Sequence, residues 1–188
     1  MPANQQKQKQ EQKPKVGISS CLLGQLVRYD GGHSRSDICT EQLQNQFHFV
    51  PFCPEVAAGF GTPRAPIQLV GELSNPRLEY AGPQPNVSNT NDSNLTEQLT
   101  EGFLEKLEQM GELDGYITKS RSPSCGDGST PVYGESGEPL SETGSGLFIS
   151  AVKERHPTLP LIEETALEHP QSRELFIAQV YSRYKAKN

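Results

Sequence analysis

The chain has no Cys-x-x-Cys pair, no long apolar run and no surplus of positive charge, and each gap narrows what it can be. Its 188 residues carry four cysteines, Cys21, Cys39, Cys53 and Cys125, all widely separated. A zinc ribbon or a thioredoxin-type redox site therefore has no support. No stretch approaches the roughly 20 apolar residues that span a bilayer. The N-terminal lysines are not followed by an apolar segment, so no secretory signal is read. The expected compartment is the cytoplasm, where thiols stay reduced and structural disulfides are not expected. The net charge is −6, and the first fifteen residues contribute +3, which leaves −9 on the rest. A body that acidic argues against the broad phosphate-binding footprint of a DNA-binding domain.

Hydrophobic residues make up only 33% of the chain, and part of that deficit is local. Residues 1–15 are almost all Gln, Lys, Asn, Pro and Glu, with nothing to bury. The expected organisation is a disordered tail over 1–14 and one domain over 15–188. Along that domain, strand-like and helix-like segments alternate. Strands are expected at 16–24, 48–53, 67–72, 114–119 and 159–163. Helices are expected at 36–47, from Asp92 or Ser93 to Met110, from 144 to 155, and from 172 to about 184. The regions 74–92 and 127–143 are rich in Gly, Pro, Ser, Asn and Glu and read as surface loops, the second as a flexible loop or lid. Alternation of this kind predicts an α/β fold: one mostly parallel sheet flanked by helices, a Rossmann-like three-layer arrangement.

Three cysteines share one address. Cys21, Cys53 and Cys125 each follow an expected strand and stand beside Gly or Pro, at the carboxyl edge where open α/β sheets build their sites. Cys39 falls inside an expected helix and reads as a packing residue. Three thiols converging from distant loops suit a metal site with one open position. A catalytic zinc accepts three protein ligands plus water, and an iron–sulfur cluster accepts thiolates at its irons. Spacing alone leaves zinc, a cluster and three buried thiols all open. Around them stand further candidates: Ser20, Arg28, Tyr29, Asp30, Glu55, Arg64 and Lys119.

Four separated motifs then carry a resemblance. Ser20-Cys21-Leu22-Leu23-Gly24 with Val27-Arg28-Tyr29-Asp30-Gly31, Cys53-Pro54-Glu55, Thr62-Pro63-Arg64, and Lys119 to Gly126 together resemble the motif set of the thiouracil and 4-thiouridine desulfidases. The similarity runs from about Lys15 to the C-terminal helix. It implies a 4Fe-4S cluster held by Cys21, Cys53 and Cys125, with one iron free of protein ligands. It implies Glu55 as acid/base and a serine before the third cysteine, with Ser122 preferred over Ser120 and Ser124. The implied reaction is non-redox hydrolysis of a C–S bond in a thiolated pyrimidine: base, nucleoside or monophosphate. Ser20, Arg28, Tyr29, Asp30, Arg64 and Lys119 are the substrate-orienting candidates. The competing class is a non-catalytic module that binds or carries a metal or a cluster.

Overall fold

The computed structural model describes residues 13–82 and 95–188. Most of the expected tail, and the expected helix cap at Asp92 or Ser93, lie outside the described residues. In chain order the elements are β1 (Lys15–Ser19), β2 (His48–Phe52), α1 (Pro54–Ala57), β3 (Ile67–Val70), β4 (Arg77–Tyr80), α2 (Leu95–Gln109), β5 (Gly115–Thr118), β6 (Asp127–Tyr133), β7 (Pro139–Ser145), α3 (Leu147–Arg155), β8 (Leu161–Glu163) and α4 (Pro170–Lys187).

Strands β2, β1, β5 and β8 form an all-parallel sheet in that order. The two central strands are buried on both faces, as such sheets require: Val16, Ile18, Tyr116 and Ile117 are all fully buried. Pro51, which cannot donate to a ladder, sits in β2 at the sheet edge, where proline is tolerated. One core, built on Leu99, Phe103, Tyr116, Phe148 and Val152, joins α2 and α3 to one face. A second, built on Val16, Ile18, Phe47, Phe176 and Val180, places α4 on the other. This is the three-layer α/β arrangement that the alternation of elements predicts.

The one-sheet expectation needs a correction. A second four-stranded sheet, β4-β3-β6-β7, has mixed pairing: β3 runs parallel to β6 and antiparallel to β4, and β6 and β7 form an antiparallel hairpin. Strand β4 lies in the expected loop 74–92, and β6 and β7 occupy the expected lid. Pro131, Gly128, Gly144 and several serines depress strand propensity there. Tertiary packing overrides it: Thr130 and Val132 point inward and are buried, while most of β7 is exposed. The helix expected at 36–47 shrinks to one π-helical segment, Ile38–Leu43. The first strand ends at Ser19, and residues 20–23 form a 3-10 turn closed by Gly24 in the left-handed region.

Candidate active site

Each cysteine of interest is delivered by a different strand of the parallel sheet. Cys21 sits in the 3-10 turn that follows β1. Cys53 directly follows β2 and is the N-cap residue of α1, whose first position is Pro54. Cys125 lies in the loop after β5. Strands β2, β1 and β5 are consecutive neighbours, so the three loops meet over one edge. There, a cavity of about 430 Å³ is lined by all three thiols and by Ser20, Arg28, Tyr29, Glu55, Arg64, Lys119, Arg121 and Ser122. All four cysteines are free. Cys39 is fully buried in the core between the sheet and α4 and is not part of the lining.

Among the described residues, no three His, Cys, Asp or Glu side chains are grouped so as to hold a single metal ion. All three thiols ionise above their ordinary range. Burial and then the Cys53 charge push Cys21 up to about 11. Burial raises Cys53, with the Val56 backbone N–H offsetting part of the rise. Cys125 is raised well above its normal value, again by burial first and Cys53 second. Three buried thiols that disfavour one another's charge form a donor set suited to a cationic centre.

Glu55 is buried, and its carboxylate is held from both sides. Arg64 donates to Oε2 through Nε at 2.9 Å and through a second guanidinium nitrogen. Ser124 Oγ donates to Oε1 at 2.7 Å. Arg64 also donates to the Gly61 carbonyl at 2.7 Å, which ties the guanidinium to its own loop while it holds Glu55. The Cys125 loop carries a second network. Lys119 Nζ donates to Glu164, to the Ser120 carbonyl at 3.1 Å and to Ser120 Oγ at 2.8 Å. The Ser120 amide and hydroxyl in turn donate to Glu164 at 2.6 and 2.8 Å.

These bonds separate the three serines. Ser120 is taken up by Glu164. Ser124 is fully buried, off the cavity wall, and serves Glu55. Ser122 Oγ accepts the amides of Ser124 and Cys125 at 3.3 and 3.0 Å, while its residue lines the cavity. With both amides pointing at its lone pairs, its O–H proton remains available to another acceptor. Two glycines make the loop possible: a Cβ at Gly126 would meet Thr130 Oγ1 at 2.1 Å, and one at Gly146 would meet the Ser124 carbonyl carbon at 2.4 Å. Close approach at Gly146 lets the first amides of α3, Leu147 and Phe148, donate to the carbonyls of Pro123 and Ser124.

Ser20, Arg28 and Tyr29 line the cavity, with the Arg28 guanidinium 5.4 Å from the Tyr29 ring centroid. Asp30 is not among the lining residues. Its carboxylate accepts the Gly32 amide at 2.9 Å and pairs with Arg28, which fixes the Arg28–Gly32 turn and holds its acid below the usual carboxylate range. Arg121 was not foreseen. It lines the cavity at φ 60°, a left-handed conformation rare for a non-glycine residue, and its amide donates to Ser129 Oγ at 2.7 Å. The run Ser-Arg-Ser-Pro holds no Gly, Asn or Asp, the residues that announce a left-handed position. Glu164 was equally illegible, since its partners lie more than forty positions away.

Comparison with known proteins follows the same outline. The family model of 2-thiouracil desulfurase matches residues 16–164. The uncharacterized protein YbbK of Bacillus subtilis (strain 168) is 31% identical over 139 residues, covering 73% of this chain and 88% of that protein. A solved structure of TudS, a [4Fe-4S]-dependent thiouracil desulfidase, superposes with a TM-score of 0.58 at 28% identity, covering 87% of this chain and 99% of that one.

Proposed function

This chain belongs to the 2-thiouracil desulfurase family, and from that premise we propose that it hydrolyses the C–S bond of a 4-thiouracil-type compound at a 4Fe-4S cluster held by Cys21, Cys53 and Cys125. The observation that carries the reading is the shared cavity: three soft thiols and a buried, oriented carboxylate open onto one space at the ends of three adjacent parallel strands. The donor set fits such a cluster, whose irons take Cys thiolates as ligands. When bound, the cluster supplies an iron without a protein ligand, a Lewis acid for the thiocarbonyl sulfur.

The remaining chemistry falls to the protein. Glu55, kept in one orientation by Arg64 and Ser124, accepts a proton from the water that attacks C4. The new C–O bond forms as the C–S bond breaks. Glu55 returns that proton to the sulfur and then relays the second, from the added hydroxyl, as the carbonyl forms, so that thiocarbonyl and water become carbonyl and hydrogen sulfide with no net electron transfer. Ser122 donates its free O–H to the substrate. Ser20, Arg28, Tyr29 and Arg121 line the space for the pyrimidine and whatever it carries. A non-catalytic carrier needs neither this cavity nor an oriented Glu55. The test is anaerobic purification followed by a sulfide assay with 4-thiouracil and 4-thiouridine. Brown protein that releases sulfide is expected; colourless protein with one zinc and no sulfide release would overturn the proposal.

A further inference from the structure

Arg121 holds a backbone conformation that its own side chain does not justify. At φ 60° it stands in the left-handed region, where a Cβ crowds the following carbonyl. Such a position persists only when its surroundings over-determine it, and such positions gather at functional sites. The side chain does little to hold it: it is 66% exposed, and its ion pair with Glu142 spans 3.6 Å. The restraint lies in the backbone, on both sides of the Arg121 Cα.

On the N-terminal side, the Arg121 amide donates to Ser129 Oγ at 2.7 Å. Ser129, in β6, donates in turn to Glu163 Oε1 at 2.6 Å, and the same oxygen accepts the Asp127 amide at 2.7 Å. Glu163 is the last residue of β8, which pairs with β5 in the parallel sheet. The Ser120–Arg121 peptide is thus tied, through one hydroxyl, to the carboxyl end of a sheet strand. On the C-terminal side, the Ser122 carbonyl accepts the Gly126 amide at 2.9 Å and the hydroxyl of buried Thr130 at 3.0 Å. Two peptide planes are pinned by separate groups, and the left-handed turn at Arg121 joins them. Ser122 comes next, lining the cavity with its Oγ against the Ser124 and Cys125 amides.

We propose that Ser129 and Glu163 are positioning residues for Ser122: their relay to the Arg121 amide keeps Arg121 left-handed and thereby sets the direction of the Ser122 hydroxyl in the cavity. This rests on the part given to Ser122 above. Neither Ser129 nor Glu163 lines the cavity. Both act on the reaction through the backbone of the loop after β5.

The test uses the full-length protein with its cluster and follows sulfide release from 4-thiouracil. Ser129→Ala is expected to keep its iron content and lose about tenfold in kcat/KM, the worth of one ordinary hydrogen bond. Ser129→Thr keeps a hydroxyl on Cβ and is expected to recover most of that loss. Added to Ser122→Ala, Ser129→Ala is expected to cost nothing further, because no hydroxyl remains to be aimed. Added to Arg121→Gly, it is expected to cost much less than in the wild type, because glycine adopts a positive φ without help. A crystal structure of Ser129→Ala is expected to show Arg121 outside the left-handed region and Ser122 Oγ displaced. Should Ser129→Ala not fold, Glu163→Gln keeps the shape but removes the charge from the relay; a loss of about threefold is expected, with the same dependence on background. Equal losses in all three backgrounds, or an unmoved Arg121 and Ser122, overturn the inference. A Ser122→Ala protein as active as the wild type instead removes the part given to Ser122, and the inference with it, so the two failures are distinct.

Discussion

Glu55 with Arg64 and Glu164 with Lys119 are both partly buried carboxylate–cation pairs on the same loop system, yet they are built to different ends. Side-chain exposure is 12% and 7% in the first pair, and 13% and 19% in the second. Glu164 spends its oxygens on Lys119 and on both the amide and the hydroxyl of Ser120, binding the loop after β5 to the segment after β8. It is not part of the cavity wall. Glu55 is held by Arg64 and Ser124 and does line the cavity. One pair closes a loop, and the other holds a reactive group at a surface where substrate can arrive. Burial of an ion pair is therefore no mark of chemistry by itself; the cavity tells them apart.

The sharpest way to break this comparison is to neutralise each carboxylate. Glu55→Gln is expected to keep the cluster absorbance and lose about 10²–10⁴-fold in turnover, the usual contribution of a general acid/base. Persistent sulfide release would remove Glu55 from that role. Glu164→Gln leaves the Lys119 ammonium without its charge partner, and a loss of about 3 kcal/mol in denaturant melts is expected. Its activity per bound cluster should change little; a loss like that of Glu55→Gln would mean that the two pairs are not distinct.

Smaller effects sharpen the same contrast. Arg64→Lys replaces a planar fork with a point charge that cannot engage Oε2 through two nitrogens. A drop of about tenfold in kcat with little change in KM is expected from steady-state kinetics, because Glu55 loses its fixed orientation. Cys39→Ala should leave the iron content intact and cost about 1 kcal/mol, a small cavity in the core. Burial pushes the Cys39 thiol up to about 11. A thiol raised in the folded state contributes stability below its ordinary value of about 9 that is lost as pH rises from there to about 11. The deficit of Cys39→Ala should accordingly shrink between pH 8 and pH 10.5 in paired urea melts; a constant deficit would contradict the burial assigned to that thiol.

Much of the site was legible because its residues stand at strand ends. The runs Val16–Ser19 and His48–Phe52 announce strands, and a parallel sheet gathers whatever follows them at one edge. Cys39 was separable on the same ground, since nothing strand-like precedes it. The mixed sheet was not legible. Residues 127–145 are poor strand formers, and only packing of Thr130 and Val132 against the core makes them pair. The choice among Ser120, Ser122 and Ser124 was also out of reach, because each has a hydroxyl at nearly the same place in the chain.

The sequence by itself determined the alternation of elements, the shared address of three thiols and the motifs that place the chain in its family. Those properties depend on local composition and order, which any reader of the chain can see. Only the tertiary structure decided that Arg64 serves Glu55, that Glu164 takes up Lys119 and Ser120, and that the buried Tyr116 hydroxyl is left without a partner among the described residues. Each of these is a contact between distant segments. Hydrogen bonds between partners 9 to 45 positions apart have no period or spacing to announce them, and an unmet bond becomes visible only when every neighbour is in place.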